Sequence, residues 1–272
     1  MTELDDARAR ARTTYNAAAD SFDDPANTFW ERYGRATIER LAPRRGDRIL
    51  DVCCGSGASA IPAAETVGDG GRVIGVDLAE HLLALARRKA EARGLRHVEF
   101  RAGDMLDLRL PESPFDAVVC VFGVFFVPDI AAAVRALWRE VAPGGALAVT
   151  TWGPRFFEPV NTVFWDAVRE VRPDLYKGFN PWDRICDPAS LAAVLRDGGV
   201  ATAEIVAVAG SHPIATPEVF WTAVRGSGYR GTLDRLDGAG RERVRAATVD
   251  FIARNRVRSV ETNVVYALAR KP

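Results

Sequence analysis

The chain has 272 residues and a hydrophobic fraction of 48%, enough to bury one substantial core plus a cap. Its 36 basic and 36 acidic side chains cancel, so it lacks the electrostatic footprint of a protein that grips a nucleic-acid backbone, and no nucleic-acid partner is expected. Four cysteines without metal spacing or secreted-scaffold density read as reduced thiols in a cytoplasm. No signal peptide and no apolar run of spanning length is read, so a soluble protein without a membrane partner is expected.

In chain order, Ala7 to Ala19 and Thr28 to Leu41 read as helices, with Asp23-Asp24-Pro25 as the break between them. The next stretch, Arg48 to Ala90, alternates strand-like and helix-like pattern as a βαβ unit of a doubly wound sheet does. Within it, Gly55 and Gly57 lack a Cβ, so the turn after Asp51 can fold tightly and bring backbone N–H groups close to a ligand. A helix is expected from Ala58. Asp77 ends the second strand, 20 residues after Gly57, where a carboxylate can accept from both hydroxyls of a ribose.

Two cofactors fit this constellation. GSGASA satisfies the G-x-G-x-x-G/A pattern of dinucleotide binders, and the acidic residue stands at the expected distance. Asp51, however, precedes Gly55 by 4 positions, where it would repel a pyrophosphate and attract an ammonium. A further acid, Asp104, appears with Met105 where a third strand should end, placed to meet an adenine amino group and ring.

Strands are expected near 47–52, 72–76, 97–101, 115–121 and 145–151, with helices between them. Val134, Leu137, Trp138 and Val141 carry the spacing of a helix stripe facing the sheet, and Pro143-Gly144-Gly145 ends that helix. Val121 and Phe122 follow the fourth strand at the carboxyl edge, where ligands collect in such folds. A helix over Ala189 to Arg196 and strands over Val200 to Ala209 and Glu261 to Ala269 complete the sheet.

DVCCGSG, VIGVDLAE, AGDM, FDAVVCVFGVFFVPD and LWREVAPGGALAVTTWGP, in this order, resemble the successive motifs of class I S-adenosylmethionine-dependent methyltransferases. The similarity points to the small-molecule branch typified by ubiquinone and menaquinone biosynthesis enzymes. It is strong over about residues 15–152 and only a general layout beyond, and Cys53-Cys54 stands where such proteins more often have a glycine or another small residue. The resemblance implies an α/β fold with a doubly wound seven-stranded Rossmann-like sheet and a mainly helical cap. It implies S-adenosyl-L-methionine as cofactor and S-adenosyl-L-homocysteine as product. The residues implied to hold it are Tyr15, Asp51, Cys53, Gly55, Ser56, Gly57, Asp77, Leu78, Gly103, Asp104, Met105, Val121 and Phe122. Tyr15, in a Y-x-x-x-A segment of a lead-in that lies across the cofactor mouth, is the candidate to face the sulfonium or the acceptor.

The expected division is a helical lead-in over 1–47, a cofactor core over 48–152, cap insertions at 153–187 and 210–258, and core again at 188–209 and 259–272. The insertions are rich in rings, among them Phe156, Trp165, Tyr176, Trp182, Trp221 and Tyr229, which suits an apolar or aromatic acceptor. Most of these rings are expected to form the cap's own core, and Trp221 is placed on the acceptor side. Methyl transfer to an oxygen, nitrogen or carbon is an in-line displacement that asks mainly for positioning. A hydroxyl acceptor also benefits from a base, and of the 3 histidines His212 in GSHPIATPEVFW is preferred because it enters the cap. No metal-ligand spacing is present. A monomer or homodimer acting on a small molecule is expected; a nicotinamide-dependent oxidoreductase and a cofactor-binding fold used for cyclisation are the alternatives.

Overall fold

The computed structural model describes residues 3–272. Helix α1 spans Glu3–Phe22 and α2 spans Phe29–Leu41. α1 is longer than the apolar pattern alone predicts because Glu3, Asp5 and Asp6 fill its first turn, where carboxylates complement the helix dipole. At the expected break, the Asp24 side chain accepts the Ala26 N–H at 2.8 Å and turns the chain.

The central sheet is the predicted one. β1 (Arg48–Val52), β2 (Arg72–Asp77), β3 (Val98–Ala102), β4 (Phe115–Val121) and β5 (Val141–Trp152) run parallel in the order β3-β2-β1-β4-β5. β6 (Glu204–Val208) forms the far edge, and β7 (Ser211–Pro213) pairs with β8 (Ser259–Glu261) in a separate hairpin. β9 (Val264–Arg270) inserts antiparallel between β5 and β6, which completes 7 strands. Side chains alternate across the sheet, so Ile49 and Val73 join one core while Leu50 and Ile74 join the other.

Helices α3 (Ala60–Val67) and α4 (Glu80–Ala92) follow β1 and β2, and α5 (Ile130–Glu140) and α7 (Pro188–Asp197) serve the other half of the sheet. Outside this plan, α6 (Val160–Val171) packs along α10 (Gly238–Arg254). α8 (Pro217–Arg225) and the short α9 (Arg230–Leu233) contact α1.

Several element boundaries differ from the sequence reading. The helix expected to run through Val141 and to end at Pro143-Gly144-Gly145 stops at Glu140, and those residues open β5, where Phe115 of β4 pairs with Val141. The first core helix starts at Ala60 instead of Ala58, because Gly57 has φ +86° and its N–H closes a turn on the Cys54 carbonyl at 2.8 Å. Val200 is not in a strand; its N–H closes the end of α7 on Leu195 O at 2.9 Å, and β6 begins only at Glu204. The last predicted strand is divided. Ser259–Glu261 pairs with β7, and Thr262 and Asn263 form a corner at which the Tyr33 hydroxyl donates to Thr262 O at 2.6 Å.

Candidate active site

Five parallel strands put their carboxyl ends on one rim, and the winding reverses between β1 and β4. A cavity opens there, as the topology of such sheets favours. It encloses about 760 Å³ of space free of protein atoms, open mouth included. Cys53 and Gly55 come to it from the end of β1, Asp77 and Leu78 from β2, Met105 from the loop after β3, and Val121 and Phe122 from β4. Ala11, Arg12 and Tyr15 of α1 close it from above.

The rim is shaped by unusual backbone. Gly55 has φ +53°, and the non-glycine residues Cys53 and Phe122 also take positive φ, +60° and +55°. Such conformations cost energy and persist where surrounding contacts over-determine them. Here the contacts are visible. A Cβ on Gly123 would collide with the Cys53 side chain, and the Phe122 ring stacks on Trp152 with centroids 3.8 Å apart.

Two carboxylates set the polarity here: the half-buried Asp77 lines the cavity, and the buried Asp51 stands against its lining residue Ser59. Asp77 accepts the Gly55 N–H on one oxygen and the Ala79 N–H on the other, both at 2.8 Å, which ties the glycine turn to the end of β2. Burial raises its pKa, and the backbone donors at Ala79, Gly55 and Leu78 work against that rise. Asp51 is 1% exposed. Burial is the main cause that pushes its pKa up to about 7, and the neighbouring Asp77 charge adds to it, against the Ser59 hydroxyl and Ala60 backbone donors. Its Oδ2 accepts from Ser59 at 2.7 Å, while Oδ1 is buried without a partner. An orphaned buried carboxylate oxygen beside a ligand cavity fits a cationic donor from the ligand, such as a primary ammonium.

The structure thus brings Tyr15, Cys53, Gly55, Asp77, Leu78, Met105, Val121 and Phe122 to one cavity. The other predicted cofactor residues, Asp51, Ser56, Gly57, Gly103 and Asp104, are not among those that line it. Ser56 donates to Asp23 at 2.6 Å, the Gly103 N–H bonds to Asp77 O at 3.0 Å, and Gly57 packs under Ile61 and Phe100. Asp104 pairs with Arg8 of α1 and accepts the Leu106 N–H at 2.8 Å. His212 does not line the cavity. It is 1% exposed in β7, edge-on to Phe29 at 5.0 Å, with both ring nitrogens unpartnered. Burial pushes its pKa down to about 4.

The sequence reading missed Phe22, Trp30 and Phe126, all of which line the cavity. Phe22 stacks on Trp30 at 4.8 Å, Trp30 meets Phe122 edge-on at 5.8 Å, and Tyr15 meets Phe126 edge-on at 5.5 Å. Phe22 and Trp30 belong to the packed core of the lead-in and line the cavity as well. The rings of the two insertions largely face one another, as with Phe164 and Tyr229 stacked at 5.2 Å.

Residues 49–145 match the methyltransferase domain family. Nocamycin O-methyltransferase of Saccharothrix syringae is 31% identical over 216 residues, which cover 79% of this chain and 70% of that one. The chain belongs to the class I S-adenosylmethionine-dependent methyltransferases. A demethylmenaquinone methyltransferase of Listeria welshimeri is 35% identical over 117 residues, 43% of this methyltransferase and 50% of the relative. Among solved structures, the 4+2 cyclase SpnF superposes with a TM-score of 0.55 at 25% identity, over 89% of this chain and 80% of that one. The methyltransferase uses S-adenosylmethionine and methylates a small molecule, so the nicotinamide reading that the glycine turn left open falls away. Among the described residues, no helix is long and apolar enough to cross a membrane, and no group of three or more His, Cys, Asp or Glu residues could hold a metal ion.

Proposed function

We propose that this enzyme methylates an oxygen of an apolar, ring-bearing small molecule, held against the aromatic wall of the rim cavity. That wall carries the reading. Tyr15, Trp30, Phe122 and Phe126 surround the cavity with ring faces and edges, surfaces that suit a flat apolar acceptor and a sulfonium alike. Two relatives are named for small organic acceptors, nocamycin and demethylmenaquinone, and the one matched over more of its length is an O-methyltransferase.

Bound S-adenosylmethionine supplies an electrophilic methyl on a sulfonium. The chain's own residues bind and aim. Asp77 accepts from the ribose, the bare oxygen of Asp51 accepts from the ammonium, and Asp104 with Met105 meets the adenine. Cys53, Gly55 and Leu78 form the floor, with Ser56, Gly57 and Gly103 fixing the turns beneath it. Tyr15, Val121 and Phe122 flank the reacting end. Holding the acceptor about 3 Å from the methyl, in line with the breaking bond, supplies most of the acceleration.

No histidine lines the cavity, and burial raises the Tyr15 phenol far from a useful base. An acceptor hydroxyl that is itself acidic, an enol or a phenol, suits such a lining because it needs little help in losing its proton. Helices α6, α8, α9 and α10 act as the cap over residues 153–187 and 210–258. Four free cysteines support a cytoplasmic setting, and the balanced charge supports a monomer or homodimer that acts without a nucleic-acid partner.

The test is transfer of labelled methyl from S-adenosylmethionine to a panel of acidic phenols and enols, aliphatic alcohols, and bulk RNA and protein. Label should move to the phenols and enols. Label appearing only in RNA or protein, or cofactor binding with acceptors rearranged but not methylated, would remove this reading; the likeness to a cyclase makes the second arm worth running.

A further inference from the structure

One face of α1 runs along the cavity. Ala11, Arg12 and Tyr15 line it, and Arg8 precedes them on the same face at i, i+3, i+4 and i+7. Arg8 leaves the cavity to others and ends on Asp104, its Nε shielded from solvent against Oδ2 of that carboxylate. The other oxygen of Asp104 is already engaged by the Leu106 N–H. Both oxygens are therefore anchored, one by backbone and one by a guanidinium, and the plane of the carboxylate is fixed. Asp104 stands beside Met105 of the cavity wall and one strand away from Asp77, since β3 lies next to β2.

We propose that Arg8 is a positioning residue for base recognition: by clamping Asp104 it turns a carboxylate edge towards the purine 6-position and makes the site select a 6-amino over a 6-oxo purine. The inference rests on the cofactor reading given above. An ionised carboxylate offers only lone pairs. A 6-amino group donates to it, whereas a 6-oxo group brings a second set of lone pairs to the same place. A site built to receive a hydrogen bond rejects an analogue that lacks the donor, because its own polar group is then left unpaired. The Arg8–Asp104 pair is partly exposed, with side chains 32% and 19% accessible, so its Coulomb energy is small and its effect is geometric. A rotating Asp104 would present either base edge with an averaged orientation, and selection would weaken.

The experiment is calorimetric titration of the full chain with S-adenosylhomocysteine and with S-inosylhomocysteine, which differ at the purine 6-position. The native protein should favour the adenosyl ligand by about tenfold or more. Arg8→Ala should lose most of that ratio while its affinity for S-adenosylhomocysteine falls only severalfold, and Arg8→Lys should restore part of the ratio. Asp104→Asn, which can offer an amide N–H to a 6-oxo group, should flatten or invert it. A helix that merely packs would lower both affinities together and leave the ratio unchanged, which would overturn the proposal. So would tighter S-adenosylhomocysteine binding by Arg8→Ala, the mark of a guanidinium that competes with the base for Asp104. A native protein that binds neither ligand would overturn the cofactor reading as well, an outcome distinct from an unchanged ratio.

Discussion

The Ser59 hydroxyl donates to Oδ2 of Asp51 at 2.7 Å and leaves Oδ1 of the same carboxylate bare. With its pKa pushed up to about 7, Asp51 is half protonated near neutrality in the free protein. An ammonium ligand needs the ionised form. Affinity for S-adenosylmethionine should therefore be flat above about pH 7 and fall by up to tenfold per unit below it, as binding must expel a proton. The stability of the free protein carries the opposite sign. Its folded form holds this proton between about pH 4 and 7 and the unfolded chain does not, so the contribution is full below about pH 4 and is lost as pH rises through 7. Calorimetry across this range checks the first statement. Asp51→Asn should bind weakly with no pH dependence, and an unchanged profile would show that Asp51 is not the titrating partner.

Asp77 links Gly55 and Ala79 through its two oxygens and lines the cavity, where a carboxylate with one donor on each oxygen has acceptor capacity left. Asp77→Ala should weaken S-adenosylmethionine binding by about 1.5–3 kcal/mol, the range for a hydrogen bond to a charged group. It should also loosen the glycine turn, and Asp77→Asn gives up one of the two tethers as well, because its amide nitrogen cannot accept a backbone N–H. Equal affinities for the native protein and both variants would contradict the role.

Much of this was legible in the sequence because it is local. The order of five parallel strands follows from alternating strand and helix patterns, and Gly55, Asp77 and Met105 reach the cavity because strand ends in such a sheet share one rim. The remainder depends on contacts between distant segments. Nothing near Arg8 in the chain announces Asp104, 96 positions away. His212 was legible as a histidine entering an insertion, but its burial is set by Phe29 of α2, which folds over β7 from the other end of the chain. The rings of the lead-in and of the insertions looked alike by composition. Only packing separates Trp30, which shows an edge to the cavity, from Phe164, which is fully buried among the rings of the insertions.

For His212 the geometry predicts a structural role. Two unpartnered nitrogens in a buried imidazole are a burden, and an apolar side chain of similar size removes both. His212→Leu should keep turnover within about twofold and leave the thermal midpoint unchanged or slightly raised. The pH–rate profile should be the same as that of the native enzyme. Loss of turnover with a stable fold and a missing acidic limb would instead make His212 a base.

Trp221 separates the two insertions' structural work from their contact with a substrate. Read from the sequence it belongs beside the acceptor, yet it is 7% exposed in α8 and edge-on to Phe164 at 6.3 Å. α8 in turn packs on α10 and α1, so the indole sits where both insertions and the lead-in meet. Trp221→Ala leaves a large void there and should cost about 3–5 kcal/mol of stability, read as a lower urea midpoint. Trp221→Phe keeps most of the volume and removes an indole N–H that has no partner, so it should cost far less. Cofactor affinity of the folded protein should be unchanged in both. If instead the alanine variant holds its urea midpoint and only the KM for the acceptor rises, the indole faces the substrate after all.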